Sequence, residues 1–149
     1  ITGITGIELY NAKGENVKIY FDTKERKLVM DRTESGLIEF GKLSVPHDIE
    51  KNYSDVHQGA GNTPFRVFNS VNYKNDFALG TWAPLSLCKG KTYHVDIFVD
   101  KCSVEIFVDG GRIAMTNLVF PTTPYTSIKF YNKGTSANFH NIKISELSL

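Results

Sequence analysis

The chain has 149 residues, 41% hydrophobic and 22% charged, with a formal net charge of +1. That length makes one domain with a sizeable core the default, and the balanced charge gives no electrostatic reason to expect nucleic acid or an anionic membrane as a partner. No apolar run approaches a membrane span, and no signal-peptide pattern opens the sequence. Taken in order, the first element is a strand: Ile7 and Leu9 alternate with Glu8 and Tyr10, the period of an extended segment with one buried face. Asn11-Ala12-Lys13-Gly14 reads as a hairpin loop, and Val17, Ile19 and Phe21 as the buried side of a second strand. Asp22-Thr23-Lys24-Glu25 is a turn, and Leu28 and Met30 mark a third strand, so the three form a meander with one apolar face. The meander ends in a polar cluster, Asp31-Arg32-Thr33-Glu34-Ser35-Gly36. Asp31 and Arg32 beside a Ser-Gly turn suit a grip on sugar hydroxyls; structurally, the arginine would pair with Asp31 or tie down loop carbonyls.

From residue 41 to residue 82 the periodicity breaks into a long segment rich in Asn, Ser, Gly, Asp and aromatics. Only Phe65-Arg66-Val67-Phe68 and Ala78-Leu79 read there as short strands. A long irregular stretch in a compact domain is usually functional or an excursion over the surface. His47 and His57, with Asp48 and Asp55 nearby, fit no recognised metal-ligand spacing, and Asn52-Tyr53-Ser54 matches a glycosylation sequon. Ala83-Pro84-Leu85-Ser86-Leu87 is a short edge-like strand, where proline is tolerated.

Residues 93–120 carry the strongest pattern. Val95, Ile97 and Val99, then Val104, Ile106 and Val108, alternate with polar or aromatic residues, and Ile113 and Met115 continue the face on a third strand. Two registers of the first hairpin keep the faces matched. With Lys101-Cys102 as the turn, Glu105 faces Phe98; with Asp100-Lys101, it faces Asp96, and opposed carboxylates are destabilising, although Asp suits a turn better than Cys. The first is preferred. An Asp109-Gly110 turn favours positive φ and would set Phe107 opposite Arg112 and Glu105 opposite Ala114, with Glu105 and Arg112 as diagonal neighbours. Cys88 and Cys102 bracket a strand of about 25 Å, whereas a disulfide needs its Cα atoms within about 7 Å, so two free thiols are expected. Pro121-Thr122-Thr123-Pro124 breaks the pattern, Ile128 and Phe130 mark a further strand, and Phe139, Ile142, Ile144 and Leu147 a last one. No segment reads as a helix. Many short strands with regular turns make an all-β sandwich or barrel.

The segment Val99-Asp100-Lys101-Cys102-Ser103-Val104-Glu105-Ile106-Phe107 resembles the "FVD-x-SSVEVF" hairpin of the C-terminal domain of glycoside hydrolase family 32, the invertases, inulinases and levanases. Residues 27–36, KLVMDRTESG, are similar to that family's "L-x-x-DRT-x-SG"; Ala83-Pro84-Leu85 to its "APL"; and residues 117–121, NLVFP, to its "T-x-x-IFP". The resemblance runs in family order from about Gly6 to the C-terminus. It implies a two-layer antiparallel β-sandwich of the concanavalin A-like lectin and glucanase (jelly-roll) type. It also implies a single domain over residues 1–149, entered after the family's first strand, and longer than the family between the "SG" and "APL" motifs. In that family the chemistry lies in an N-terminal five-bladed propeller whose "WMNDPNG" and "EC" motifs are not in this sequence.

The expectation is therefore a non-catalytic sandwich that stabilises a catalytic β-propeller of the same protein, needs neither cofactor nor metal, and sits outside the cell or in the periplasm. No Glu-x-Asp-x-Glu run of the sandwich glucanases is present. Asp96 and Asp100 would lie about 13 Å apart along a strand, beyond the roughly 5–9.5 Å of glycosidase pairs, and Asp96 with Glu105 would approach that range only in the disfavoured register. The competing reading is a lectin-like module that holds a fructan oligosaccharide. For it, Trp82, Tyr53 and Tyr73 are the candidate stacking platform, and Asp31, Arg32 and Glu105 the candidate polar contacts.

Overall fold

The structure, a computed structural model, describes residues 3–38 and 77–146. They contain eight strands: β1 (Ile4–Tyr10), β2 (Asn16–Asp22), β3 (Lys27–Glu34), β4 (Gly80–Pro84), β5 (Val95–Val99), β6 (Ser103–Val108), β7 (Ile113–Leu118) and β8 (Ser127–Lys133). They form two antiparallel sheets, one of five strands in the order β4-β3-β2-β1-β8 and one of three in the order β5-β6-β7. Each expected meander lies within one sheet, and the two apolar faces cover each other. Ile7, Leu9, Val17, Ile19, Leu28 and Met30 from the larger sheet share one core with Val104, Ile106 and Val108 from the smaller one, and Leu85 and Val119 extend it. This is the two-layer sandwich that amphipathic sheets of this length require. Burying one such aliphatic side chain contributes about 1.5–3 kcal/mol.

The first hairpin of the smaller sheet takes the register that keeps the carboxylates apart. Phe98 faces Glu105, Asp96 faces Phe107, and the Asp100 N–H donates to the Ser103 carbonyl across a Lys101-Cys102 turn. The second hairpin departs from expectation by two residues. Val108 faces Ile113, Phe107 faces Ala114 and Glu105 faces Thr116, so the connection is the four-residue loop 109–112. Its cause is non-local. Asp109 is claimed by β5, its N–H donating to the His94 carbonyl at 2.8 Å while its Oδ1 accepts the His94 N–H at 3.0 Å. Asp109, Gly110 and Gly111 then take φ of 49°, 71° and 98°, and Arg112 falls in the loop instead of diagonal to Glu105.

Two further strands differ. The β4 strand begins at Gly80 and ends at Pro84, earlier than expected, because its partner is β3, with Trp82 against Val29 and Ala83 against Leu28. No strand forms over the described part of the last expected one. Phe139 instead meets Phe130 edge-on at 4.9 Å, and Ile142 and Ile144 are 56% and 77% exposed. Alternation is a local property, whereas a strand needs a hydrogen-bonded partner, and this segment pairs with none although β8 stands at the edge of its sheet. Cys88 and Cys102 are free and exposed. The Phe65–Phe68 strand, His47, His57 and the sequon lie outside the described residues.

Candidate functional site

The residues chosen from sequence do not converge. Neighbouring residues of a strand point to opposite faces, and this separates Asp31 from Arg32. Arg32 turns into the sandwich, where its Nη1 donates to the Leu118 carbonyl at 2.9 Å and its guanidinium lies 4.3 Å from the Phe77 ring centre. Its Nε is buried without a hydrogen-bond partner among the described residues, and burial pulls the guanidinium below its ordinary pKa. Around it the end of β3 is clasped to the segment after β7. The Leu37 N–H donates to the Phe120 carbonyl at 2.8 Å, and the Tyr125 hydroxyl donates to the Ser35 carbonyl at 2.5 Å. Gly36 has a φ of 129°, and a Cβ there would run into the Phe120 carbonyl. Nearby, buried Asn117 bridges the layers, its Nδ2 donating to Thr81 Oγ1 at 2.6 Å and to Met30 Sδ at 2.7 Å. The DRTESG and NLVFP motifs thus meet each other, and their geometry joins two sheets; Arg32 ties down a carbonyl.

Asp31 points outward, its Oδ1 accepting the Thr33 N–H at 2.9 Å and the Thr33 hydroxyl at 2.7 Å. It belongs to the outer face of the five-stranded sheet, which the strand registers arrange in rows. Trp82, Val29, Tyr20, Gly6 and Tyr131 are successive cross-strand partners from β4 to β8. The next row is Gly80, Asp31, Lys18, Glu8 and Lys129, with alternating charge signs along its last four members. Trp82, 57% exposed, carries the Lys27 ammonium 4.2 Å above its ring. Gly6 keeps the row bare between the tyrosines, since a Cβ there would collide with Tyr20 and the Ile19 carbonyl. A shallow depression of about 490 Å³ opens here, lined by Tyr20, Tyr131, Glu8, Asp31, Lys18 and Lys129 among others. Burial, then the charges of Asp31 and Asp22, raises the Tyr20 phenol; burial, then Tyr20, Glu8 and Asp31, pushes Tyr131 up to about 12. Both hydroxyls are therefore protonated at neutral pH, able to donate and accept.

Glu105 stands on the opposite side of the molecule, on the outer face of the three-stranded sheet, where the Thr116 hydroxyl donates to it at 3.3 Å. Its neighbours there are apolar: Phe98, 45% exposed, meets Phe107 edge-on at 5.8 Å, and Leu118 is 52% exposed. Asp96 on the same face meets His94 Nε2 at 3.0 Å. Tyr53 and Tyr73 lie outside the described residues. Among the described residues no group of three or more His, Cys, Asp or Glu is placed to hold a metal ion, and no helix is long and apolar enough to cross a membrane. Of the six candidates, the structure brings together Asp31 and Trp82. Tyr20 and Tyr131 were missed because each reads as a single outward residue of its own strand. The signal that joins them, β1 lying between β2 and β8, links segments more than a hundred residues apart.

Comparison with known proteins bears on this arrangement. The family profile described as glycosyl hydrolases family 32 C terminal matches residues 2–146. The levanbiose-producing levanase of Bacillus subtilis (strain 168) is 34% identical over 95 residues, which are 64% of this chain and 17% of the levanase. The crystal structure of exo-inulinase from Aspergillus awamori superposes with a TM-score of 0.56 at 20% identity, over 88% of this chain and 19% of that one. The fold is shared with a solved structure, and the chain spans a small part of each of these proteins.

Proposed function

The chain belongs to the glycosyl hydrolase family 32 C-terminal domains, and from that premise we propose that it is a non-catalytic module that packs against a catalytic β-propeller of the same protein and stabilises it. The observation that carries this reading is the outer face of the three-stranded sheet. Phe98, Phe107 and Leu118 stand outward there around a central Glu105 that accepts from Thr116, and exposed aromatic and aliphatic side chains gathered on one face are the anchors of a docking surface. A module that covers 17% of a levanase has a large remainder to dock against. By the same reading, the whole protein cleaves sucrose or a fructan and works outside the cytoplasm, where polymeric substrate is met.

The test mixes the chain with its separately produced catalytic domain. The expected result is a complex by sedimentation and a higher melting temperature for the catalytic domain. Replacing Phe98→Ser and Leu118→Ser together weakens association by at least about tenfold, since buried aromatic anchors dominate such interfaces. The melting temperature of the free chain stays nearly unchanged, as for most exposed positions. A catalytic domain that melts at the same temperature with and without this chain would rule the stabilising role out.

A further inference from the structure

We propose that the aromatic row on the outer face of the five-stranded sheet is a binding track for a neutral oligosaccharide. The row runs across all five strands, from Trp82 on one edge strand to Tyr131 on the other, with Val29, Tyr20 and Gly6 between. Four strand spacings of roughly 4.8 Å make it about 19 Å long, enough for several sugar units laid perpendicular to the strands. Aromatic side chains offer rigid apolar faces at low entropic cost, with a polar tip on each tyrosine. The C–H faces of a sugar ring stack on such surfaces. Its hydroxyls need groups that both accept and donate, and the flanking row supplies them in alternation: Asp31 and Glu8 accept, Lys18 and Lys129 donate.

Charge selects the class of ligand. The flanking row Asp31, Lys18, Glu8 and Lys129 sums to zero, and Lys27, Asp22 and Lys133 on the other side of the aromatics add one positive charge, so the face offers no strong field to a polyanion or a polycation. Within this row Lys129 and Glu8 form a loose ion pair at 4.0 Å, so both partners remain able to turn to a ligand. The tyrosine hydroxyls stay protonated for the reason given above and add two groups that donate and accept. Gly6 lets the backbone and Tyr20 close in beneath the row, where a Cβ would collide. The middle member of the row is Tyr20, with Val29 on one side and Gly6 on the other. The track lies on the opposite face from the docking surface, so it goes beyond the stabilising role and does not depend on it.

The experiment is a titration of the 149-residue chain with inulin-derived, levan-derived and cellulose-derived oligosaccharides, followed by calorimetry and by amide chemical shifts. The expected result is saturable binding of at least one neutral series, with shifts gathered on residues 4–8, 18–22, 27–31, 80–84 and 127–133. Trp82→Ala, at an exposed edge position, weakens binding by about tenfold without lowering the melting temperature. Tyr20→Phe, which keeps the ring, weakens it less, and Phe98→Ser leaves it unchanged. The three series separate a fructan track from a general β-linked glycan track. No binding by any series overturns the proposal, as does binding that ignores both Trp82→Ala and Tyr20→Ala, or shifts that gather on the three-stranded sheet. Because docking is measured without sugar, a failure here leaves the stabilising role standing, and a failure there leaves this one standing.

Discussion

The two outer faces of the sandwich are built from the same alternation but carry different chemistry. On the five-stranded sheet the outward positions include tyrosine, tryptophan, lysine and carboxylate, set in rows by the registers of five strands. On the three-stranded sheet they include Phe98, Phe107 and Leu118, with Glu105 held by Thr116 among them. A sheet needs only one apolar face to fold, so its second face is free to be specified for something else. By the two proposals made above, one face takes a polyhydroxylated ligand in water and the other makes contact with protein. The clasp of Arg32, Gly36 and Tyr125 to the Leu118–Phe120 region lies where the layers join, and that is where two of the family's motifs meet.

Three changes would break or sharpen this contrast, beginning with the one of largest effect. Leu28 and Ile106 are fully buried on opposite sides of one core. Leu28→Ala and Ile106→Ala are each expected to cost about 3 kcal/mol, read as a shift of the urea midpoint at constant m-value. Equal losses in one cooperative transition mean that the faces belong to a single folding unit. Two separable transitions, one per sheet, would mean that they do not.

The second change titrates one face only. The Tyr131 phenol is raised to about 12 when folded, against about 10 unfolded. The folded state therefore holds that proton more tightly, and this share of stability is full below about pH 10 and lost as pH rises toward about 12. Tyr20 and Tyr125 are also raised. Tyr131→Phe should thus flatten, without abolishing, the loss of stability measured by urea unfolding across that alkaline range. An unchanged slope would mean that the phenol is not held in the environment described.

The smallest effect concerns a loop that joins the larger sheet to the segment before β8. Burial works to raise the Glu15 carboxyl, but hydrogen bonds from the Thr122 hydroxyl, the Asn11 amide and the Thr122 N–H outweigh it and leave the pKa lowered. A lowered folded value means that its contribution is present above the unfolded pKa of about 4.3 and lost as pH falls through the folded one. Glu15→Gln should then reduce stability slightly at neutral pH and leave the variant less sensitive to acid than the parent. Equal acid sensitivity in the two proteins would show that these hydrogen bonds carry no net stability.

Much of the architecture was legible from residues alone. The alternations from Ile7 to Met30 and from Val95 to Met115 give strands, their shared apolar side gives two layers, and like-charge repulsion between Asp96 and Glu105 selects the first hairpin register. These are local patterns or nearest-neighbour effects, written in the order of the chain. The candidate site was less legible. Asp31 and Trp82 were named and share one outward face, but the same set also named Arg32 and Glu105, which lie inside the clasp and on the opposite face.

What tertiary structure alone decided is what depends on pairing between distant segments. The Asp109-Gly110 dipeptide is a strong turn signal, yet His94 captures Asp109 and moves the hairpin by two residues. The alternation of Phe139, Ile142 and Ile144 is a strand signal, yet no ladder forms there and Phe139 packs on Phe130 of β8 instead. The row from Trp82 to Tyr131 exists only because β1 lies between β2 and β8 while β4 pairs with β3. Sequence determined which side of each strand is apolar, because that follows from the order of residues. Which outward residues became neighbours was set by strand order, because hydrogen-bonded ladders join backbones without regard to their separation along the chain.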